Sequence, residues 1–245
     1  MLRRMFRSGH FWADYFNSIF IPEIEAYAAC LTERLLPSFE NLNDEANRVE
    51  QEEYERLWSL VPYEYDDIGT LAEHAMDKAI AYIQTITGIK QGLTNMFGAG
   101  LYHFFEQQLL SYHRREFLFK NLEEHNDPTL LKVPKVCEIC AENGIELKSF
   151  ASWSRIYDEL RLLANTVKHA DGRSCDQLRS QRPDLFRSPT SVKLGSFLVP
   201  PVVYQPLAGD GIYLSEEEFK RYTEDVKAFW LEFGQKLIER DKHNR

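Results

Sequence analysis

From Gln91 to Phe119 the apolar residues fall on both sides of the helix that their spacing predicts. Phe97, Leu101, Phe104, Phe105 and Tyr112 line one side, and Met96, Leu110 and Phe117 the other. A surface helix carries one apolar stripe, so a helix with two has neighbours on both sides and belongs at the centre of a bundle. The fold class this sets is mainly α, a helical bundle with long central helices. Glu106, near the middle of the segment, must reach water or find a partner, because burying an unpaired carboxylate is costly. Its candidates are His103, one turn back, or a basic residue of the helix predicted over 152–170. A core-organising ion pair and a supporting role at a reactive site both fit this carboxylate.

Further helices are legible on either side. Phe11, Trp12, Tyr15, Phe16, Ile19 and Phe20 form a stripe ending at Ile21-Pro22, and a second helix runs from about Glu23 until Pro37 breaks or bends it. Residues 43–60 read as a third helix with Glu50, Glu52, Glu53 and Glu55 facing solvent, and 67–88 as a fourth with Leu71, Ala75, Ala79 and Tyr82 near one line. A short helix from about Lys135 to Glu142 stops at Asn143-Gly144. Ser215-Glu-Glu-Glu218 is a capping-box start for a long terminal helix with Phe219, Tyr222, Val226, Phe229, Trp230, Phe233 and Leu237 inward. Before it, Pro189, Pro200, Pro201, Pro206 and the β-prone runs 196–199 and 202–204 predict a small β-hairpin or extended arm near residues 190–214. The chain thus reads as a single helical domain: N-terminal helices over 1–64, a core over 65–186, the arm over 187–214 and the last helix over 215–245.

Chemistry concentrates in one helix. Trp153, Ile156, Tyr157, Leu160, Leu163, Ala164 and Val167 make a continuous core-facing stripe, with Ser152 as N-cap and Asp171-Gly172 as stop. At about 100° per residue, Arg161, Asn165 and His169 then form a ridge that the helix's own core does not cover, with Lys168 on the flank. A charged and amide-bearing ridge is also what an ordinary solvated face looks like.

Asn165-Thr-Val-Lys-His169 resembles the end of the Arg-Asn-x-x-x-His signature of the HEPN superfamily, helical proteins many of which are metal-independent ribonucleases and toxins of prokaryotic defence systems. The Asn-to-His spacing matches. The motif's arginine does not: Ala164 directly precedes the asparagine, and the nearest guanidinium, Arg161, is one turn earlier. Gly98-Ala-Gly-Leu-Tyr-His-Phe-Phe-Glu-Gln-Gln-Leu-Leu110 looks like the long helix that precedes the motif helix in such proteins, with His103, Glu106 and Gln107 as its polar insert. The resemblance covers roughly residues 65–186.

It implies RNA cleavage without metal or cofactor, in which a neighbouring 2′-hydroxyl attacks phosphorus. His169 would be general base or acid, imidazole being the side chain type that changes charge near neutrality. Asn165 would orient it or the phosphate, and Arg161 or Lys168 would supply the cation for the developing charge. Glu106 and His103 would stand behind them. Family members commonly pair motif helices across a homodimer, so an uncovered ridge suits a groove completed by a second copy. The other reading is a catalytically silent helical module that binds a protein or RNA partner, or a cognate inhibitor; Ala164 favours it.

Charge restricts the nucleic-acid reading. With 29 Lys and Arg against 38 Asp and Glu the net charge is −9, which argues against general affinity for phosphate backbones. RNA would need a local basic patch, for which Lys168, Arg173, Arg179 and Arg182, and His113-Arg-Arg115, are the candidates. Cys137-Glu-Ile-Cys140 has zinc-type spacing, but no second such pair follows; a buried apolar pair and a zinc site with Cys175 or His169 both remain. No apolar run is long enough for a membrane span, and the basic N-terminus lacks the continuous apolar stretch of a signal peptide, so a cytoplasmic location is expected. Phosphate loops, dinucleotide fingerprints, His-Glu-x-x-His and nucleophile elbows are absent from the sequence.

Overall fold

The computed structural model describes residues 7–60, 68–118, 128–188, 203 and 211–243. These form a mainly α helical bundle. Its α-helices are α1 (Gly9–Tyr15), α2 (Ile21–Ala29), α3 (Leu42–Leu60), α4 (Ile68–His113), α5 (Val133–Glu142), α6 (Arg161–His169), α7 (Arg173–Gln181) and α8 (Glu216–His243). Ser8 starts α1, its hydroxyl accepting from the Phe11 N–H at 3.2 Å. Pro22 does not separate α1 from α2. The chain widens through π-type turns at Phe16–Phe20 and continues, because a wider turn accommodates a residue that lacks the N–H for the ladder. Pro37 ends the run in a tight 3₁₀ turn, Leu36–Phe39.

The two helices expected over 67–88 and from Gln91 onward are one. α4 runs 46 residues without a break, since Gly88 sits in open space and demands no turn there. Its N-terminal half packs with α3, and its C-terminal half enters the bundle among α2, α6 and α8. One correction concerns α3. Glu53 is buried rather than solvent-facing, because its carboxylate bridges Arg56 at 2.7 Å and Lys78 of α4 at 2.6 Å.

The core is aromatic. Trp12 and Phe16 meet Tyr112 and Trp230 with centroids 4.7 and 4.8 Å apart, and Phe105 meets Phe229 at 4.9 Å. Rings at these separations contribute about 0.5–1.5 kcal/mol per pair beyond burial. Glycine allows the close crossings: a Cβ at Gly9 would collide with the Leu237 backbone of α8, and one at Gly100 with the Tyr27 hydroxyl. α8 opens as its sequence predicts, the Ser215 hydroxyl accepting from the Glu218 N–H at 3.1 Å. All seven of its expected inward residues are buried.

No strand forms among the described residues. Most of the segment expected as a hairpin lies outside them, and where it is described its backbone bonds go elsewhere. Asn95 of α4 donates to the Ile212 carbonyl at 2.9 Å and accepts from the Leu214 N–H at 3.3 Å, while Gln91 donates to the Leu214 carbonyl at 3.0 Å. Side-chain amides take the place of a partner strand.

Candidate functional site

The wide turns Ser154–Leu160 lead directly into α6, and together they bury Ile156, Leu160, Leu162, Leu163, Ala164, Thr166 and Val167. Ser152 does not cap this helix with its side chain; its carbonyl accepts from Ile156 while its hydroxyl is buried without a partner. On α6 only Arg161, Asn165, Lys168 and His169 keep access to solvent, so the ridge does stand clear of its own core. Ala164 is completely buried. The position that carries arginine in the motif therefore points inward here, not at the ridge.

Arg161 is fixed by its own helix. Its Nε donates to the Tyr157 carbonyl at 2.8 Å and its guanidinium stacks 4.7 Å from the Tyr157 ring centroid. The terminal nitrogens make no protein hydrogen bond among the described residues. Lys168 reaches α4: its Nζ lies 3.4 Å from His103 Nε2, and His103 Nδ1 lies 3.3 Å from Glu106 Oε2. An ammonium can only donate, which assigns Nε2 as the acceptor and puts the His103 proton on Nδ1 toward the carboxylate. Asn165 is half-buried and His169 exposed, and neither side chain has a hydrogen-bond partner among the described residues.

The turn after His169 is strained and held. Ala170 sits at φ +61°, ψ −146°, a conformation that costs a side-chain-bearing residue about 1–3 kcal/mol. Asp171 secures it: its carboxylate accepts from Arg179 at 3.2 Å, the Cys175 thiol at 3.4 Å and the Val203 N–H at 3.1 Å, and its own N–H donates to the Val203 carbonyl. Sequence reading took Asp171 only as a stop signal.

The other expected basic residues differ in availability. Arg173 is exposed. Arg179 holds Asp171 and lies 4.8 Å from the Phe186 ring centroid. Arg182 clasps Asp184 at 2.7 and 3.0 Å and also donates to Glu159, Glu218 and the Tyr222 hydroxyl. From the other side Arg155 binds Glu159, Glu218 and Asp225 at 3.0–3.1 Å. Burial opposes ionisation of Glu218, but Arg182 and Arg155 outweigh it and hold its carboxyl below the usual range, whereas burial raises Asp225. Only its Arg155–Glu159 and Arg182–Asp184 pairs are local in sequence; Glu218 and Asp225 come from α8, more than sixty residues from Arg155. His113 is not part of a surface patch: it is buried, and burial pushes its pKa down to about 4.

Between α6 and α7 runs an open cleft of about 310 Å³ lined by Asp158, Arg161, Leu162, Gln177, Ser180 and Gln181. It adjoins the ridge through Arg161. The sequence reading did not single out its α7 wall, although Gln177, Ser180 and Gln181 recur at three-and-four spacing on one helix face.

Cys137, Cys140 and Cys175 are buried, and burial raises the thiols of Cys137 and Cys175 to about 11. Among the described residues no three His, Cys, Asp or Glu side chains gather as metal ligands, and no helix is long and apolar enough to cross a membrane. No family model, curated protein or solved structure matches the chain. What the described residues define is a mainly α helical bundle in which the polar ridge of α6 stands open to solvent.

Proposed function

We propose that the chain is a HEPN-like metal-independent endoribonuclease. The observation that carries this reading is the accessible ridge of α6, along which Arg161, Lys168 and His169 keep access to solvent while Leu162, Leu163, Ala164 and Val167 are buried. His169 takes the proton of the 2′-hydroxyl as its oxygen bonds to phosphorus. Arg161, pre-oriented on Tyr157, and Lys168, held by the His103 and Glu106 pair, bear the charge that develops on the phosphoryl oxygens. The 5′ oxygen leaves with a proton, supplied by the imidazole of a second copy when the two ridges face each other. The products are a 2′,3′-cyclic phosphate and a 5′-hydroxyl. A role as a toxin or an anti-phage defence component follows from such an activity.

A second reading rests on Ala164: with that position buried, the ridge lacks the motif's own arginine, and the same surface serves a silent module that docks a protein or RNA partner. One experiment separates them. Purified protein is incubated with structured and unstructured RNA in chelator, beside His169→Ala. The enzyme reading expects cleavage with cyclic-phosphate ends and a 10²–10⁴-fold loss in the variant, the range for removing a general acid or base, with an unchanged melting temperature. Intact RNA with the wild-type protein would leave the module.

A further inference from the structure

The cleft between α6 and α7 carries more hydrogen-bonding capacity than the protein uses. Asp158, Gln177, Ser180 and Gln181 make no side-chain hydrogen bond among the described residues, and Arg161 engages only its Nε. By contrast, Arg155, Glu159, Arg179 and Arg182 nearby all have partners within 3.2 Å. A carboxylate, two amides, a hydroxyl and a guanidinium line this open site of about 310 Å³ and are accessible to solvent, a set of groups that suits a polar, planar ligand.

The donor and acceptor pattern narrows that ligand. A carboxylate accepts only, so Asp158 selects a ring edge with adjacent donors. Among the RNA bases guanine alone presents two, N1–H and the N2 amine, on its Watson–Crick edge. Guanine's O6 and N7 are acceptors, which suit the amide N–H groups of Gln177 or Gln181. Arg161, shared with the ridge, faces the phosphate.

We infer that this cleft is a guanine subsite, holding the base of a guanosine in the RNA strand whose phosphate lies on the Arg161–His169 ridge. The inference rests on the ribonuclease reading for its strand but not for its base chemistry. Adenine places an acceptor at N1 against Asp158, and cytosine and uracil present at most one donor there.

The test is equilibrium binding of the full chain to GMP, IMP, AMP, CMP and UMP, and to two short oligoribonucleotides that differ by one guanosine against adenosine. GMP is expected to bind at least about tenfold tighter than AMP, the scale of one good bidentate contact. IMP, which lacks the N2 amine, should fall between them. Asp158→Asn, an exposed replacement that substitutes a donor for one acceptor, should erase the preference without lowering the melting temperature. Gln177→Ala provides a second variant, expected to weaken GMP several-fold. Equal binding of GMP and AMP, a guanine preference indifferent to both variants, or no binding of any nucleotide at millimolar concentration would overturn the subsite. Binding of GMP without the guanosine-bearing oligonucleotide would overturn the strand as its source. Failure of RNA cleavage with the guanine preference intact counts against the ribonuclease alone.

Discussion

The two halves of the motif helix treat charge in opposite ways. Over Ser154–Leu160, Arg155 and Glu159 are enclosed by Arg182, Glu218, Asp225 and Tyr222, and every guanidinium has a carboxylate. One turn later Arg161, Asn165 and His169 have almost no polar partners at all. The same helix is a clamp at one end and an open bench at the other. Matched polar groups lower the energy of the folded chain, whereas unmatched, solvated groups contribute little to stability and keep their interactions for something that arrives later.

The harshest way to break that comparison is Ala164→Arg. If position 164 faced the ridge, the substitution would complete an Arg-Asn-x-x-x-His pattern there and, on the proposed ribonuclease reading, raise RNA cleavage. With Ala164 fully buried in the core, a guanidinium there overpacks and is left uncompensated, so a loss on the order of 4 kcal/mol is expected, read as failure to give a cooperative thermal transition.

Glu218→Ala tests the clamp. It removes a carboxylate that Arg155 and Arg182 share, and breaking a buried pair costs about 3 kcal/mol, measured by denaturant unfolding at pH 7. The ridge should keep its exposure, and with it any RNA cleavage under conditions where the variant is folded. The pH dependence has a defined sign. Glu218 and Asp184 are depressed in the folded state, so their stabilisation is present above the unfolded carboxylate values of about 4 and is lost as pH falls through the folded ones. Asp225, raised by burial, works in the opposite sense and softens the slope. Glu218→Gln should flatten the acid limb of the stability curve; an unchanged limb would mean the carboxylate contributes nothing there.

The smallest effect sits where the clamp and the bench end. Ala170→Gly relieves the positive φ after His169 and should stabilise by about 1 kcal/mol, visible as a higher denaturant midpoint with the same slope. A loss of stability instead would show that the turn is not strained.

Much of this helical architecture could be read from the chain, and the reasons for the remainder are specific. Local signals carried well: Ser215 with Glu218 marks the start of α8, and the three-and-four spacing of α6 separates its buried stripe from Arg161, Asn165 and His169. The division between 67–88 and 91–119 did not hold, because the isolated Gly88 between them is a weak helix breaker whose cost of about 1 kcal/mol is outweighed by packing along α4. The runs 196–199 and 202–204 suggested a strand partner, yet the described end of that arm satisfies its backbone through Asn95 and Gln91, residues that carry no strand signal. Glu53 read as solvent-facing because its cation, Lys78, belongs to another helix. Pairings of that kind depend on tertiary approach, and so did the Arg155 and Arg182 network.

Helix α4 also bears on how this molecule behaves in solution. At about 1.5 Å per residue, 46 residues make a rod of about 69 Å, whereas a globule of 245 residues has a diameter of about 46 Å. Even a monomer is therefore hydrodynamically large for 28.7 kDa and will leave a gel-filtration column early. Mass for any assembly of this chain has to be weighed by light scattering or sedimentation, because elution volume reports length as well as mass.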